Sequence, residues 1–291
     1  MKWLIAGGDG QLGRAMQAHL SESGIEFLAL GRKQLDITDE SAIIRVFKET
    51  RPDVVLNAAA WTKVDEAESA EQEALQINAY GPSFLANACA ISNARFVHIS
   101  TDYVFSGNTT APWLEESKLD PISAYGRTKA KGEELVQETY ASGSYIVRTA
   151  WLYSPWGQNF VKTMARIALT EIRMVEVVSD QLGQPTSAMD LAGQIHRMVE
   201  MEVTPGIYHG TNGGQGSWFD FAREIFFLLN ADVDRVTSID SSKFVRPAKR
   251  PSYSVLGHNR WIMVGMQSMR DWREALKVAM PSVISTLNME E

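Results

Sequence analysis

The sequence predicts an α/β fold: a Rossmann-type doubly wound parallel sheet with a smaller C-terminal substrate-binding domain. Three observations carry this. Short, nearly continuous apolar runs alternate with helix-like segments through the first half, the pattern of βαβ units whose strands are covered on both faces. A glycine trio, Gly7, Gly10 and Gly13, lies between the first apolar run and the first helical segment. Beyond about residue 151 the alternation loosens and Gly/Pro punctuation thickens, at Pro185, Pro205-Gly206, Gly213-Gly214 and Pro247 to Pro251.

Taken in order, strands are expected at Trp3 to Ala6, Ile25 to Leu30, Val54 to Ala60, Phe96 to Ile99 and Tyr145 to Val147. Helices are expected near 11–23, 39–50, 71–92 and 124–141. Residues 1–150 then form the dinucleotide-binding domain and 151–291 mainly the substrate-binding domain. In the second part the periodicity predicts helices near 157–170, 187–201, 217–229 and 267–279, with short strands near 172–178 and 205–210. The 187–201 segment is a candidate to return to the first domain.

Composition narrows the classes of function. The chain has 291 residues, enough for a large core and a cleft, and a formal charge of -7 without a run of Lys or Arg. Nucleic acid is not an expected partner, and no apolar run is long enough for a bilayer. The expected setting is cytoplasmic: the chain opens on strand-like residues rather than a charged leader. Cys89, the single cysteine, lies in the apolar stretch Ala86 to Ala90 and reads as a buried small hydrophobe.

The glycines give the first functional signal. Gly7 permits a tight turn, Gly10 lets the backbone approach a pyrophosphate, and Gly13 allows close helix–strand contact, with the helix N-terminus offering free amides. At the end of the second strand, where an acidic residue would accept from the ribose of NADH, stands Gly31, followed by Arg32 and Lys33. Arg32 suits a 2′-phosphate, so NADPH is expected over NADH. Asp36-Ile37 is placed to contact the adenine. Ala58, Ala59 and Ala60, small residues ending the third strand, leave room for ribose and nicotinamide.

The second signal is a pair. Of eight tyrosines, only Tyr125 has a lysine, Lys129, four positions on. One helical turn puts both on one face. An ammonium beside a phenol lowers its pKa and makes tyrosine a usable proton donor to a carbonyl oxygen. Lys129 can also hold ribose hydroxyls, and Thr101, after the fourth strand, can hydrogen-bond the oxygen as charge develops. The five histidines, His19, His98, His196, His209 and His258, show no metal-ligand spacing, and no G-x-S-x-G turn occurs. His98, within a strand's apolar run, is expected to be a core residue.

Together these residues resemble the extended branch of the short-chain dehydrogenase/reductase superfamily, and within it the dTDP-4-dehydrorhamnose reductase family. The resemblance rests on Gly7 to Gly13 with Gln11-Leu12, Leu35-Asp36-Ile37, Arg51-Pro52-Asp53 to Ala60, Thr62 to Glu68, Ser100 to Phe105, Tyr125 to Lys129, Arg148 to Tyr153, Asn159-Phe160, Asp180 to Thr186 and Arg250-Pro251. It weakens after about residue 256. It implies reduction of the 4-keto group of dTDP-6-deoxy-L-lyxo-4-hexulose to dTDP-L-rhamnose. It further implies Thr101, Tyr125 and Lys129 as catalytic residues, and Gly10, Gln11, Leu12, Arg32, Asp36, Ile37, Ala58 to Ala60, Tyr125 and Lys129 as cofactor contacts. Thr62, Val64, Asp65, Thr101, Asp102, Tyr125 and Trp151 would line the nucleotide-sugar site, Trp151 as a flat wall. Where related dehydratases carry an Asp-Glu pair, this chain has Asp102-Tyr103, which favours simple reduction. Where some members carry an acidic ligand for a Mg²⁺ ion bridging a homodimer, it has Ala15, so no metal residue is assigned and both Mg²⁺ and the homodimer are left open. Two alternatives stand: a reductase or epimerase on another nucleotide sugar, and a non-catalytic NAD(P)-binding regulatory subunit.

Overall fold

The structure is a computed structural model and describes residues 1–290. Its first strands and helices alternate: β1 (Trp3–Ala6), α1 (Gln11–Glu22), β2 (Phe27–Leu30), α2 (Glu40–Thr50) and β3 (Val54–Asn57). Then come α3 (Val64–Ala67), α4 (Glu71–Leu75), a π-helical turn (Gln76–Tyr80), α5 (Gly81–Ser92), β4 (Arg95–Thr101), α6 (Ala124–Tyr140) and β5 (Ser144–Thr149). The remainder is β6 (Leu152–Tyr153), α7 (Phe160–Thr170), β7 (Val175–Val178), β8 (Leu182–Gly183), β9 (Thr186–Ser187), α8 (Ala188–Glu200), β10 (Gly206–His209), β11 (Gly216–Ser217), α9 (Trp218–Leu228), β12 (Val236–Ile239), α10 (Asn259–Met263) and α11 (Trp272–Glu290).

The central sheet is six-stranded and parallel, in the order β10-β5-β4-β3-β1-β2. Strand order reverses between β1 and β3, which opens a crevice beyond their carboxyl ends. Period-2 alternation feeds two apolar layers. Trp3, Ile5, Val54, Leu56, Val97 and Val147 point to the layer containing Met16, Leu20, Leu191 and Ile195. Leu4, Ala6, Val55, Phe96 and Ile146 point to the other, with Ile43, Phe47, Leu85, Cys89 and Val136. Each fully buried Leu, Ile or Met contributes about 1.5–3 kcal/mol. A third cluster joins α7, α9 and α11 around Phe221, Ile225, Trp272 and Leu276, beside the parallel pair β7 and β12.

The segment 188–209 belongs with the large sheet. Leu191, Ile195 and Met198 of α8 are buried with Met16 and Leu20 of α1. β10 adds the sixth strand beside β5, Gly206 opposite Tyr145. Some expected boundaries move for local reasons. The third strand stops at Asn57, not Ala60, because the Asn57 side chain accepts from the Ala59 amide at 3.1 Å and turns the chain out of the sheet. The helix expected over 71–92 holds a π-turn at its centre. The last helix runs through Pro281, although proline gives up a backbone bond, because Val283 and Leu287 continue its buried stripe. The pairs β6–β9 and β8–β11 are too short for a periodicity to reveal. No helix among the described residues is long and apolar enough to cross a membrane.

Candidate active site

The glycine loop sits at the reversal point. Gly7 has φ +85°, and a β-carbon there would lie 2.6 Å from the Ala59 nitrogen, so the turn against the end of β3 requires glycine. Gly13 is pressed onto Gly7, with a β-carbon position 2.2 Å from its carbonyl oxygen. Gly10 instead meets only that carbonyl, at 3.3 Å. As N-cap of α1 it offers no side-chain oxygen, whereas α2, α6, α7, α8 and α9 are each capped by Asp39, Ser123, Asn159, Ser187 and Ser217. The first-turn amides of α1 therefore face the crevice without a protein acceptor. This geometry fits a pyrophosphate.

Around the loop, Leu12 and Ile37 are buried in the core, which leaves only their backbone for a ligand. Gln11 reaches across to the second part of the chain. Its Oε1 accepts from Ser154 Oγ at 3.2 Å and Asn159 Nδ2 at 2.9 Å. Asp36 Oδ1 accepts from the Thr38 amide and hydroxyl, which hold its carboxyl below the usual range. Its Oδ2 lies 3.7 Å from Arg32 Nε. Ala58, Ala59 and Ala60 are half-buried along the crevice.

β4 lies two strands from β1, roughly 10 Å away at normal sheet spacing. Its last residue, Thr101, has a buried hydroxyl that donates to Asp102 Oδ1 at 3.0 Å and accepts from the Tyr103 amide at 3.2 Å. Tyr125, in the first turn of α6, lies beside the Thr101 side chain, which opposes part of the shift that burial imposes on the phenol. Ser123 caps that helix through the Gly126 amide at 3.1 Å. Glu68 accepts from the Ala124 amide at 2.8 Å, and Glu71 grips Arg127 with both oxygens, at 2.8 and 2.7 Å. The start of α6 is thereby clamped from α3 and α4.

Lys129 lies one turn further on and is buried. Its Nζ donates to the Ile99 carbonyl at 2.6 Å and is 3.5 Å from His98 Nε2. Desolvation lowers its pKa to about 8. His98 is a buried core residue, bonded to Asn57 Nδ2 at 3.1 Å and held neutral by burial and by Lys129. One expectation is corrected here. Tyr125 is not lowered: burial pushes it up to about 12, only partly offset by Thr101, and Lys129 is not among the groups acting on it. The physical reason is that the phenol is desolvated while the lysine, itself desolvated, is committed to Ile99. At neutral pH the phenol is thus fully protonated, the form a proton donor needs.

Asp102 is buried beside this group. Desolvation raises its pKa to about 6, with Ser254 and Thr101 opposing. Tyr103 meets the Tyr125 ring edge-on at 5.9 Å, and burial raises its pKa further above the carboxylate range. Thr62 and Val64 lie on the approach from β3, exposed and half-buried. Asp65 is committed to the protein: Arg250 forks onto it at 2.9 and 2.9 Å, and Ala248 N adds 3.2 Å. Trp151 adopts φ +44° and stacks on Trp218, centroids 3.7 Å apart. Gly183 also lies against it, where a β-carbon would fall 2.6 Å from the indole. The flat wall foreseen at Trp151 is therefore already partnered by Trp218.

A cavity of about 740 Å³ opens from Tyr103 toward the second part of the chain. Phe160, Trp218 and the Val175–Val178 strand line it on one side, and Arg246, Lys249 and Arg250 on the other. Sequence reasoning passed over most of these. No local pattern marks them, because segments 160, 175–178, 218 and 246–250 converge only in the folded chain. Asn78 was also missed. From the π-turn its Oδ1 accepts from Trp61 N at 2.8 Å, and its Nδ2 donates to Thr128 Oγ1 at 3.1 Å, linking the β3 exit to α6. Its only sequence signal is a polar residue on an otherwise apolar helical face.

A dinucleotide crevice with a Thr–Tyr–Lys group beside it defines an oxidoreductase of the extended short-chain dehydrogenase/reductase class. Comparison with known proteins narrows this. The family model described as the RmlD substrate binding domain matches residues 1–284. The dTDP-4-dehydrorhamnose reductase of Streptomyces griseus is 44% identical over 97% of this chain and 94% of its own. The dTDP-4-keto-6-deoxy-D-glucose reductase of Streptomyces niveus is 43% identical over 96% of each. The crystal structure of the Bacillus anthracis dTDP-4-dehydrorhamnose reductase, in complex with NADP, superposes with a TM-score of 0.92 at 38% identity, covering 96% of this chain and 98% of its own. The chain belongs to the dTDP-4-dehydrorhamnose reductase family.

Proposed function

We propose that the protein reduces the 4-keto group of dTDP-4-dehydro-L-rhamnose to give dTDP-L-rhamnose, in the cytoplasm, with NADPH as the preferred reductant and NADH as the second. The observation that carries this reading is the placement of Tyr125 beside Thr101 at the carboxyl end of β4, with Lys129 one turn further along α6. A bound nicotinamide supplies hydride to the carbonyl carbon. Tyr125 delivers its hydroxyl proton to the carbonyl oxygen, and Thr101, swinging its hydroxyl hydrogen away from Asp102, donates a hydrogen bond to that oxygen as charge grows on it. Lys129, charged below about pH 8 and one turn from Tyr125, holds the cofactor ribose by turning its ammonium from the Ile99 carbonyl. The uncapped amides of α1 take the pyrophosphate. Arg246, Lys249 and Arg250 suit the substrate diphosphate, and Phe160 and Trp218 offer aromatic surface to its base.

The relative named for a 4-keto-6-deoxy-D-glucose substrate supports a second reading, the same reduction on another dTDP-4-keto-6-deoxyhexose. One experiment addresses both. Purified protein is mixed with NADPH or NADH and a panel of nucleotide-linked 4-keto-6-deoxyhexoses, and nicotinamide absorbance and melting shift are recorded. Loss of NADPH with the rhamnose precursor supports the first reading; loss only with a different sugar supports the second. No substrate-dependent oxidation of either cofactor across the panel would falsify both.

A further inference from the structure

The end of β2 is where sheets of this kind usually carry an acidic side chain for the ribose of NADH. Gly31 provides none, yet the place is filled. A β-carbon built at position 31 would lie 1.8 Å from Oδ2 of Asp9 and 2.6 Å from its Cγ. Asp9 belongs to the glycine loop, and its carboxylate reaches across the crevice floor into the space a side chain at 31 would occupy. The surroundings are fixed. Gly7 and Gly8 both donate to the Leu30 carbonyl, at 3.0 and 2.9 Å. The Gly31 amide donates to Gln34 Oε1 at 2.8 Å, and its carbonyl accepts from Gln34 and Leu35 at 3.0 Å each.

On the neighbouring side stands Arg32, its side chain 77% exposed and shared with Asp36 at 3.7 Å. The remaining nearby cation on the loop side, Arg14, bonds the Asp9 carbonyl at 3.2 Å. One rim of the crevice thus carries a carboxylate and a guanidinium with opposite preferences. An exposed carboxylate accepts from a ribose 2′-hydroxyl and repels a 2′-phosphate; Arg32 does the reverse.

We propose that Asp9, supplied from the glycine loop in place of the side chain missing at 31, is the residue that sets the choice between NADH and NADPH. The proposal rests on the dinucleotide reading given above. It assigns to Asp9 the acceptor for the ribose hydroxyls of NADH, and it sets Asp9 against Arg32 in handling the extra phosphate of NADPH. Repulsion between exposed charges is screened by salt, so the opposition of Asp9 to the extra phosphate of NADPH shrinks as ionic strength rises.

The test is direct binding of NADH and NADPH to the full chain by calorimetry, for wild type, Asp9→Asn and Arg32→Ala, at low and high salt. No turnover enters the readout. Asp9→Asn is expected to raise the NADPH-over-NADH affinity ratio tenfold or more, by weakening NADH and tightening NADPH together. Arg32→Ala is expected to lower the ratio. An Asp9→Asn ratio within threefold of wild type, or one moved toward NADH, overturns the proposal while leaving the cofactor site intact. Wild-type protein that binds neither dinucleotide overturns the underlying reading instead.

Discussion

Asp102 and Lys129, like Tyr125 and His98 beside them, are held against their solution preferences by burial. Asp102 is raised to about 6, and Lys129 is lowered to about 8. For Asp102 the folded pKa exceeds the unfolded one, so its contribution is fully present below about pH 4 and is lost as pH rises through about 6. Two units correspond to about 3 kcal/mol. Asp102→Asn keeps an acceptor for the Thr101 hydroxyl and removes the titration. The variant should melt at higher temperature than wild type at pH 7 to 8, and the difference should vanish near pH 4 in a series of thermal scans. A pH-independent difference would contradict the assignment. At this scale the shared face of Tyr125 and Lys129 was legible, because a one-turn Tyr–Lys spacing is a local pattern. The direction of the Tyr125 shift was not, since burial depends on what the rest of the chain lays over the ring. Asp9 was equally hidden: its closeness to Gly31 exists only once the loop packs on β2.

The first strand and the long helices of the first half were read to within about a residue, and the other strands to within about three, because their periodicities are strong and their faces covered. The π-turn at Gln76–Tyr80 was not, since one extra residue in a turn leaves the apolar pattern almost unchanged. Its consequence is Asn78, which ties Trp61 to Thr128, while the Thr128 hydroxyl donates to the Tyr125 carbonyl at 2.9 Å. Replacing Asn78 by Ala leaves the half-buried Trp61 amide without its acceptor. A loss of about 1–3 kcal/mol is expected, and urea titration measures it. Because the same bonds brace the first turns of α6, turnover should fall more than cofactor affinity does. A variant with wild-type stability and turnover would contradict the bracing role.

Across the whole molecule, the cleft is closed by contacts that join distant segments. Gln11 reaches Ser154 and Asn159, and Asp65 holds Arg250 and the Ala248 amide. Residues such as these match family motifs in sequence, but their partners were illegible because each pair is separated by more than a hundred positions. The short strands β6, β8, β9 and β11 share that obscurity. Asp65 holds Arg250, a residue of the cavity wall, together with the Ala248 amide beside it. In steady-state assays Asp65→Ala should raise KM for the nucleotide sugar about tenfold or more, with kcat and NADPH affinity little changed. Loss confined to kcat would instead place Asp65 at the reacting atoms.

The account turns on one proton. Substrate-dependent oxidation of NADPH, with cofactor affinity determined in parallel, should separate wild type from Tyr125→Phe most cleanly. The variant lacks only a hydroxyl, so it should bind NADPH within about twofold of wild type while turning over at least a hundredfold more slowly. Turnover retained within a few-fold, at equal cofactor affinity, would show that the proton comes from elsewhere.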